Sequence, residues 1–493
     1  MTEPALPRML WVPQAWLPGG WQARVLLRIA ADGRWAEVQP DVAVPPDGAQ
    51  VLTGALLPGL VNAHSHAFQR AFAGLAERRE TEADDFWSWR ERMYAVALRI
   101  TPLQLRAIAA QLYLELLQGG YTQVCEFHYL QHQPGGQPHA DSDSDSDTDT
   151  DTDTDTDTDT DTDTDAMAWA LADAAAEVGI GLTLMPALYE RAGFGQPALR
   201  DEQRRFAGTP ASVWASAGRI ADRARRRIGA APLNAGLVIH SLRAAAPAAI
   251  HALHGLAEGF DGPIHIHVAE QTAEVDDCLA ATGARPIEWL AREGLLDARW
   301  QLVHATHSLR AEVDAVARSG AGVVICPSTE ANLGDGLCDL RGWLGAGVAL
   351  AIGSDSHVTR CWREELRWLD YGQRLLLRQR NVAAAPQAGL ASTAQRLFER
   401  ALAGGAAAAG LRAWGLQVGA RADALVADAG CGALLGIPAS RQLDALVFSS
   451  PARPWQQVLV AGRWAWGPAQ AAAADAIAHR FRQVMCELWP DPA

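Results

Sequence analysis

The chain of 493 residues contains no lysine, so its 42 basic residues are all arginine. This absence excludes a Schiff-base lysine, a phosphate-loop lysine and a carboxylated lysine that bridges two metals. The seven cysteines are scattered and form no CxxC pair, which argues against a disulfide framework or a zinc knuckle. The sequence also lacks a run of about 20 uncharged apolar residues and a signal-peptide pattern, so we expect no membrane contact and a cytoplasmic location.

Negative charge is concentrated in one segment. Residues 141–165 alternate Asp with Ser or Thr and hold 13 of the 57 acidic residues, which leaves 44 against the 42 arginines elsewhere. The rest of the chain is therefore nearly neutral, and we expect no nucleic-acid partner. The tract is predicted to be a disordered, solvated loop. The alternative is an acidic flap beside the active-site mouth that repels an anionic substrate.

Both ends of the chain are rich in predicted β-strands, and they flank a long middle region. Strands are predicted in six segments: 9–12, 23–29, 35–38, 424–427, 444–448 and 455–466. We expect residues 1–57 and 416–470 to build one small β-sandwich domain together, followed by a helical tail over 471–493. Residues 58–415 form the predicted catalytic barrel.

The middle region repeats a short apolar run followed by a longer helical stretch. The runs span 56–66, 122–129, 181–189, 236–243, 264–270, 301–307, 322–329 and 348–355. Eight such α/β units predict a (β/α)8 barrel of the TIM type, whose parallel strands are buried on both faces. A doubly wound sheet would have a glycine-rich phosphate turn after its first strand. Here the first run ends in His64-Ser65-His66 instead.

Residues with metal-binding side chains stand at several predicted strand ends. His64 and His66 are two residues apart, so both imidazoles face the same side of the first strand. His267, His304 and Asp355 end the fifth, sixth and eighth strands. Because all these ends meet at one mouth of a barrel, they predict a site for a divalent metal such as Zn²⁺.

The motifs at these strand ends resemble those of the amidohydrolase superfamily. The resemblance rests on PGLVNAHSH at 58–66, HVAE at 267–270 and IGSDS at 352–356. It implies that one metal ion is bound by four residues: His64, His66, His267 and Asp355. It also implies that His304 contacts the metal-bound water. Without a lysine, the resemblance is to the mononuclear deaminase branch, in which Glu270 fills the acid/base position.

The chemistry of these residues agrees with the implied roles. Zn²⁺ suits imidazole and carboxylate ligands, and Fe²⁺ is an alternative. A bound metal would lower the pKa of its water towards about 7, and Asp355 would accept the water proton. His304 would orient the attacking oxygen, and Glu270 would carry a proton to the departing nitrogen.

Further segments resemble the formimidoylglutamate deiminase family and spread over residues 1–470. They read HSHAFQR at 64–70, FWSWR at 86–90, EFHY at 126–129, HSLR at 240–243 and PSTEANLGDG at 327–336. This resemblance implies hydrolysis of N-formimino-L-glutamate to N-formyl-L-glutamate and ammonia in histidine degradation, by a homodimer. It implies that five residues contact substrate: Gln69, Arg90, Tyr129, His240 and Arg243.

The two arginines distinguish this interpretation from its alternatives. Arginine pairs with carboxylates in a bidentate manner, so Arg90 and Arg243 suit a small dicarboxylate substrate. A deaminase of guanine or cytosine would use the same metal and Glu270, but would need stacking and amide groups for a flat ring. A catalytically silent barrel that serves as a binding protein is the alternative from another class. His265 and His357 are predicted to be structural.

Overall fold

The structure is a computed structural model, and it describes residues 8–79, 84–140, 162–226, 231–449 and 452–490. In chain order the strands are β1 (Met9–Leu17), β2 (Gly20–Ile29), β3 (Trp35–Gln39), β4 (Gln50–Val51), β5 (Leu56–Leu57), β6 (Leu60–Ser65), β7 (Tyr121–His128), β8 (His139–Ala140), β9 (Thr162–Asp163), β10 (Gly181–Leu188), β11 (Leu233–Ala235), β12 (Leu237–Ser241), β13 (Ile264–Val268), β14 (Trp300–His304), β15 (Gly322–Ile325), β16 (Ala349–Ile352), β17 (Ala424–Ala427), β18 (Trp455–Val460) and β19 (Arg463–Trp466).

The helices mostly lie between the strands. They are α1 (Phe86–Ala97), α2 (Pro102–Gly119), α3 (Ala166–Val178), α4 (Pro210–Arg226), α5 (Pro247–Leu256), α6 (Thr272–Thr282), α7 (Pro286–Arg292), α8 (Arg310–Ser319), α9 (Pro327–Leu333), α10 (Leu340–Ala346), α11 (Trp362–Leu377), α12 (Thr393–Ala408), α13 (Gln442–Phe448) and α14 (Ala471–Leu488). Within the described ranges, none of them combines the length and hydropathy that a membrane crossing requires.

Local sequence signals fix the ends of α2, which leads into the second barrel strand. The Thr101 hydroxyl accepts a hydrogen bond from the Gln104 amide, and Pro102 occupies the first helical position, where no amide donor is needed. Gly120 ends the helix in the left-handed region at φ 94°, and a Cβ there would lie 2.4 Å from the Trp362 indole nitrogen. Glycine is therefore required both by the backbone and by the space.

Eight parallel strands form the barrel, in the order β6, β7, β10, β12, β13, β14, β15 and β16. Every residue of β7, β10, β13 and β14 is buried, because side chains fill the interior and helices cover the outside. This double burial explains the continuous apolar runs in the sequence. The predicted (β/α)8 architecture is confirmed.

The barrel closes between its first and last strands through side chains as well as backbone. The His64 carbonyl accepts hydrogen bonds from the Ser354 and Asp355 amides at 3.2 and 3.0 Å. The buried Asn62 side chain donates to Ser354 Oγ and accepts from the Ser354 amide, both at 2.8 Å. The closure therefore lies directly beneath the strand ends that carry His64 and Asp355.

The two ends of the chain together build one β domain, as predicted, and its strands form a single sheet. Its strand order is β19, β18, β17, β5, β1, β2, β3, with β4 paired to β1. Strand β5 pairs with β1 from the N-terminal end and with β17 from the C-terminal end, so it joins the two halves. A separate apolar cluster, which includes Leu10, Val25, Trp35 and Val426, stabilises this sheet.

One predicted strand is wrong. Residues 444–448 lie in helix α13, in which Leu443, Leu446 and Val447 are buried. Their spacing of three and four residues places them on one helix face, whereas a strand would bury alternate residues. Short apolar runs do not distinguish the two by themselves. The predicted strand over 455–466 is a hairpin of β18 and β19.

The acidic tract lies mostly outside the described residues, which omit 141–161. Its last residues are structured: β9 (Thr162–Asp163) pairs with β8. Asp165 is buried beneath α4, where it accepts a hydrogen bond from Ser216 at 2.7 Å. The C-terminal end of the predicted loop is therefore part of the fold.

Candidate active site

Four strand ends bring imidazole and carboxylate groups to one mouth of the barrel. His64 lies in β6 and His66 follows that strand, while His267 and His304 belong to β13 and β14. Asp355 follows β16 by three residues. His304 and Asp355 have φ angles of 69° and 45°, which non-glycine residues rarely adopt. Such backbone strain is concentrated at functional sites.

Two of the histidines are held in the tautomer that frees Nε2. His66 Nδ1–H donates to the Phe127 carbonyl at 3.0 Å, and His267 Nδ1–H donates to the His240 carbonyl at 2.9 Å. A carbonyl oxygen only accepts, so each Nδ1 must carry the proton. The Nε2 lone pairs are then available to a metal, which is the usual arrangement of metal-ligating histidines.

The ligand atoms predicted from the sequence converge. His64 Nε2 lies 3.0 Å from His267 Nε2. Asp355 Oδ1 lies 3.4 Å from Nε2 of both His64 and His66. Burial lowers the pKa of His64 to about 3, so this imidazole is neutral. Burial raises the pKa of Asp355, but the neighbouring His64, His304 and His66 outweigh it and hold the carboxyl ionised.

This donor set fits a divalent metal. Neutral imidazole nitrogens and one carboxylate oxygen, all buried, are ligands that Zn²⁺ and Fe²⁺ accept. His64 Nδ1 has no partner within the described residues, and Gly353 lies so close that a Cβ there would be 2.6 Å from His64 Cβ. The histidine is thus held by packing with Nε2 towards the other ligands.

His304 lies at the centre of a group of carboxylates. Its Nε2 is 3.7 Å from both Glu270 Oε1 and Asp355 Oδ2, and its Nδ1 is 3.4 Å from Glu330 Oε1. Burial alone would lower the pKa of His304, but the negative charges of Glu270, Glu330 and Asp355 raise it to about 10. Burial raises the pKa of Glu270 to about 7, although the positive charges of His304 and Arg243 oppose this rise. Glu270 can therefore exchange a proton near neutral pH.

A cavity opens above this cluster. All five predicted substrate contacts line it: Gln69, Arg90, Tyr129, His240 and Arg243. Gln69 Nε2 donates to the Tyr129 hydroxyl at 3.3 Å, while Gln69 Oε1 has no partner among the described residues. Burial, with Arg243 adding to the effect, holds the pKa of His240 well below its usual value. The cavity wall is thus polar without carrying a further charge at His240.

Two guanidinium groups in the cavity wall form no ion pair within 4 Å in the described part of the chain, although Arg243 lowers the pKa of Glu270 and Glu274 from farther away. Arg243 is buried and Arg90 half-buried, and Arg243 Nη1 and Arg90 Nε have no hydrogen-bond partner there. Both guanidiniums lie against the Trp87 ring, at 4.5 Å for Arg90 and 5.5 Å for Arg243. Cation–π contact offsets only part of the cost of burying these charges. The arrangement therefore suits an anionic ligand.

Sequence reasoning missed several residues around the cavity. Glu330 fixes the His304 ring and also accepts from the Cys326 amide at 2.9 Å. Tyr94 and Tyr189 line the cavity, and the Tyr189 hydroxyl accepts from Gln203 at 3.0 Å. Glu330 lies in the segment 327–336 that resembles the family, but the resemblance by itself gives it no role. The tyrosines carried no such signal, since a tyrosine in an apolar stretch looks like any core residue.

The two histidines predicted to be structural lie outside the convergent group. His265 Nε2–H donates to the Ala408 carbonyl of α12 at 2.8 Å. His357 Nε2–H donates to the His66 carbonyl at 3.1 Å, and its Nδ1 accepts from Ser354 Oγ at 2.9 Å. His357 thus extends the closure network of Asn62 and Ser354 to the backbone of His66.

Comparisons with known proteins agree with the fold. The model of the amidohydrolase family matches residues 55–465. A formimidoylglutamate deiminase from Pseudomonas aeruginosa is 44% identical over 481 residues, which cover 97% of this chain and 99% of that protein. An amidohydrolase structure from Brucella melitensis has a TM-score of 0.87 and 38% identity, covering 98% and 99% of the two chains. An adenosine deaminase structure from Xanthomonas campestris with bound zinc has a TM-score of 0.74 and 21% identity, covering 97% and 98%, and shares the fold.

Proposed function

The chain belongs to the amidohydrolase family, and from that premise we propose that it hydrolyses N-formimino-L-glutamate to N-formyl-L-glutamate and ammonia. The observation that carries the substrate assignment is the pair of guanidiniums, Arg90 and Arg243, beside the histidine cluster without ion-pair partners among the described residues. The 44% identity to a formimidoylglutamate deiminase along nearly the whole chain supports the same assignment. The activity would belong to histidine degradation.

The metal would be held by His64, His66, His267 and Asp355. We propose Zn²⁺, with Fe²⁺ as the alternative, because both accept imidazole and carboxylate ligands. Bound there, the ion would supply Lewis-acid activation of a water molecule. The chain's own contribution is to fix the ligand atoms, through the carbonyls of Phe127 and His240 that orient two of the imidazoles.

Three side chains would move or hold protons. Asp355 Oδ2 faces His304 and would accept the proton of the attacking water. His304, held cationic by its carboxylate neighbours, would stabilise negative charge on the attacking oxygen. Glu270, with its pKa near neutrality, would deliver a proton to the imino nitrogen. Asp355 would then give the water proton to the same nitrogen, so that the C–N bond breaks and ammonia leaves. The hydroxyl proton on the attacked carbon would return to Glu270 as the formyl carbonyl forms.

The remaining cavity residues would orient the substrate. Arg90 and Arg243 each offer a planar fork of donors, which matches one carboxylate apiece. The Trp87 ring contacts both guanidiniums. Gln69, Tyr129 and His240 would hydrogen-bond the formimino group or the nearer carboxylate. The homodimer and the cytoplasmic location remain predictions from the sequence.

The test is ammonia release by zinc-loaded protein. We expect turnover of N-formimino-L-glutamate and a much higher KM for N-formiminoglycine, which carries the same reacting group but lacks the side-chain carboxylate. Guanine and cytosine are the competing substrates, because the cavity also has aromatic residues that would stack on a flat ring. Release from a heterocycle alone would contradict the substrate assignment while leaving the metal site intact. No release from any substrate by metal-loaded protein would favour a silent binding protein.

A further inference from the structure

Two consecutive residues of the loop after β10, Glu190 and Arg191, form hydrogen bonds with the loop after β12. Arg191 Nη2 donates to the Leu242 carbonyl at 2.6 Å, and Arg191 Nε donates to the Arg243 carbonyl at 3.2 Å. The amides of Glu190 and Arg191 both donate to the Ala244 carbonyl, at 2.9 and 3.1 Å. The three successive carbonyls of residues 242–244 therefore all accept hydrogen bonds from the loop after β10.

The loop after β10 also forms a hydrogen bond with the C-terminal end of the segment 242–246. Glu190 Oε1 accepts the Ala246 amide at 3.0 Å, just before Pro247 begins α5. Arg191 itself is steadied by the Phe194 ring, 5.3 Å from its guanidinium carbon. The five hydrogen bonds between 190–191 and 242–246 thus fix the backbone of a loop that carries a cavity residue.

Arg243 depends on this backbone for its position. Its side chain forms no ion pair within 4 Å with the described residues, and its guanidinium lies over the rings of Phe86 and Trp87 at 5.7 and 5.5 Å. Cation–π contacts tolerate sliding of the cation over the ring, so they define direction poorly. The direction of the guanidinium is therefore set mainly by where its Cα is held.

We infer that Arg191 and Glu190 are positioning residues for Arg243, and that they act on substrate affinity rather than on the chemical step. The inference rests on the proposed function, in which Arg243 binds a substrate carboxylate. Arginine is required at 191 because its planar fork reaches two neighbouring carbonyls at once, whereas the single ammonium of a lysine would reach one. Neither Arg191 nor Glu190 lines the cavity.

The experiment compares KM and kcat for N-formimino-L-glutamate among variants of the full-length, zinc-loaded protein. A small displacement of a binding group is costly, so we expect Arg191→Met to raise KM about tenfold with kcat within about twofold of the parent. Arg191→Lys should recover part of the loss. Glu190→Ala should also raise KM, whereas Glu190→Gln should not, since its amide oxygen still accepts the Ala246 amide.

A matched control is Arg299→Met. Arg299 Nη1 likewise donates to two backbone carbonyls, of Ala257 and Phe260, but Arg299 immediately precedes β14, at the end of the barrel opposite the mouth. This variant should lower the thermal midpoint and leave KM unchanged. If Arg191→Met also lowers the midpoint without changing KM, its role is structural and the inference is wrong.

A double-substitution cycle shows whether Arg191 acts through Arg243. In the Arg243→Met background, adding Arg191→Met should change KM by less than about twofold, because the group it positions is gone. If the two substitutions instead raised KM by factors that multiply in the double variant, the inference would be wrong and the proposed function would stand. An unchanged KM in Arg243→Met alone would instead overturn the carboxylate pairing of the proposed function, and this inference with it.

Discussion

Glu270 illustrates how burial changes the chemistry of one side chain. An exposed carboxyl is almost fully ionised near neutral pH, but burial of Glu270 raises its pKa to about 7. His304 and Arg243 limit that rise, since both favour the ionised form. The same carboxyl can therefore hold a proton in one step and release it in another.

Replacing Glu270 tests this role. Glu270→Gln keeps the shape and removes the transferable proton, so we expect full metal content and a loss of kcat of about 10²–10⁴-fold. Metal analysis and steady-state ammonia release measure the two quantities. Glu293→Gln, an exposed residue outside the cavity, serves as the control and should retain parental kcat. Near-parental turnover by Glu270→Gln would exclude it as the proton carrier.

The sequence predicts some of these residues and not others for physical reasons. His64 and His66 were found because a spacing of two on a strand puts both side chains on one face. Arg90 stands on a helix, and only family resemblance connected it with the distant Arg243. Glu330 contacts His304, and Tyr189 lines the cavity, through the three-dimensional packing of separate elements, which no local sequence pattern records.

At the scale of elements, the closure between β6 and the segment after β16 determines where two predicted metal ligands lie. Asn62 and Ser354 exchange two hydrogen bonds at 2.8 Å in a fully buried environment. His357 connects the same serine to the His66 carbonyl. Side-chain hydrogen bonds in this network therefore help to join the first and last strands of the barrel, whereas backbone pairing joins the other neighbouring strands.

Removing the Asn62 side chain should open this closure. Asn62→Ala leaves the Ser354 amide and hydroxyl without their partner, and an unsatisfied buried polar group costs about 1–3 kcal/mol. We expect a destabilisation of about 2–3 kcal/mol in urea unfolding. Metal affinity should fall as well, because Asp355 and His64 lose their shared support. Asn332→Ala, which removes a hydrogen bond from α9 to the exposed Glu77, is the control. Equal stability of the two variants would contradict this account of the closure.

Element prediction succeeded where burial produced a distinct pattern. The eight barrel strands are covered on both faces, so each appears as a continuous apolar run that helices separate. Residues 444–448 lack that context: a run of five apolar and polar residues fits a strand or a helix equally well. Burial of Leu443, Leu446 and Val447 stabilises this segment as helix α13. That burial depends on the tertiary fold.

At the scale of the whole molecule, the candidate metal ligands tie together parts of the chain that are almost 300 residues apart. His64 lies in the first barrel strand, His267 in the fifth and Asp355 after the last. An ion bound by all of them binds the folded barrel and not the unfolded chain. Such an ion stabilises the fold by mass action, by about 3–4 kcal/mol at free concentrations 100 to 1,000 times its Kd.

Removal of the metal should therefore destabilise the entire barrel and not only abolish turnover. We expect chelation to lower the thermal midpoint by several degrees and stoichiometric Zn²⁺ to restore it. His267→Ala lacks one ligand, so its midpoint should already be low and should respond little to the chelator. Scanning calorimetry of both proteins, with metal content measured in parallel, makes the comparison. If chelation lowered both midpoints equally, the stabilising ion would bind somewhere other than the strand ends, because only a site that includes His267 loses its ion with that side chain.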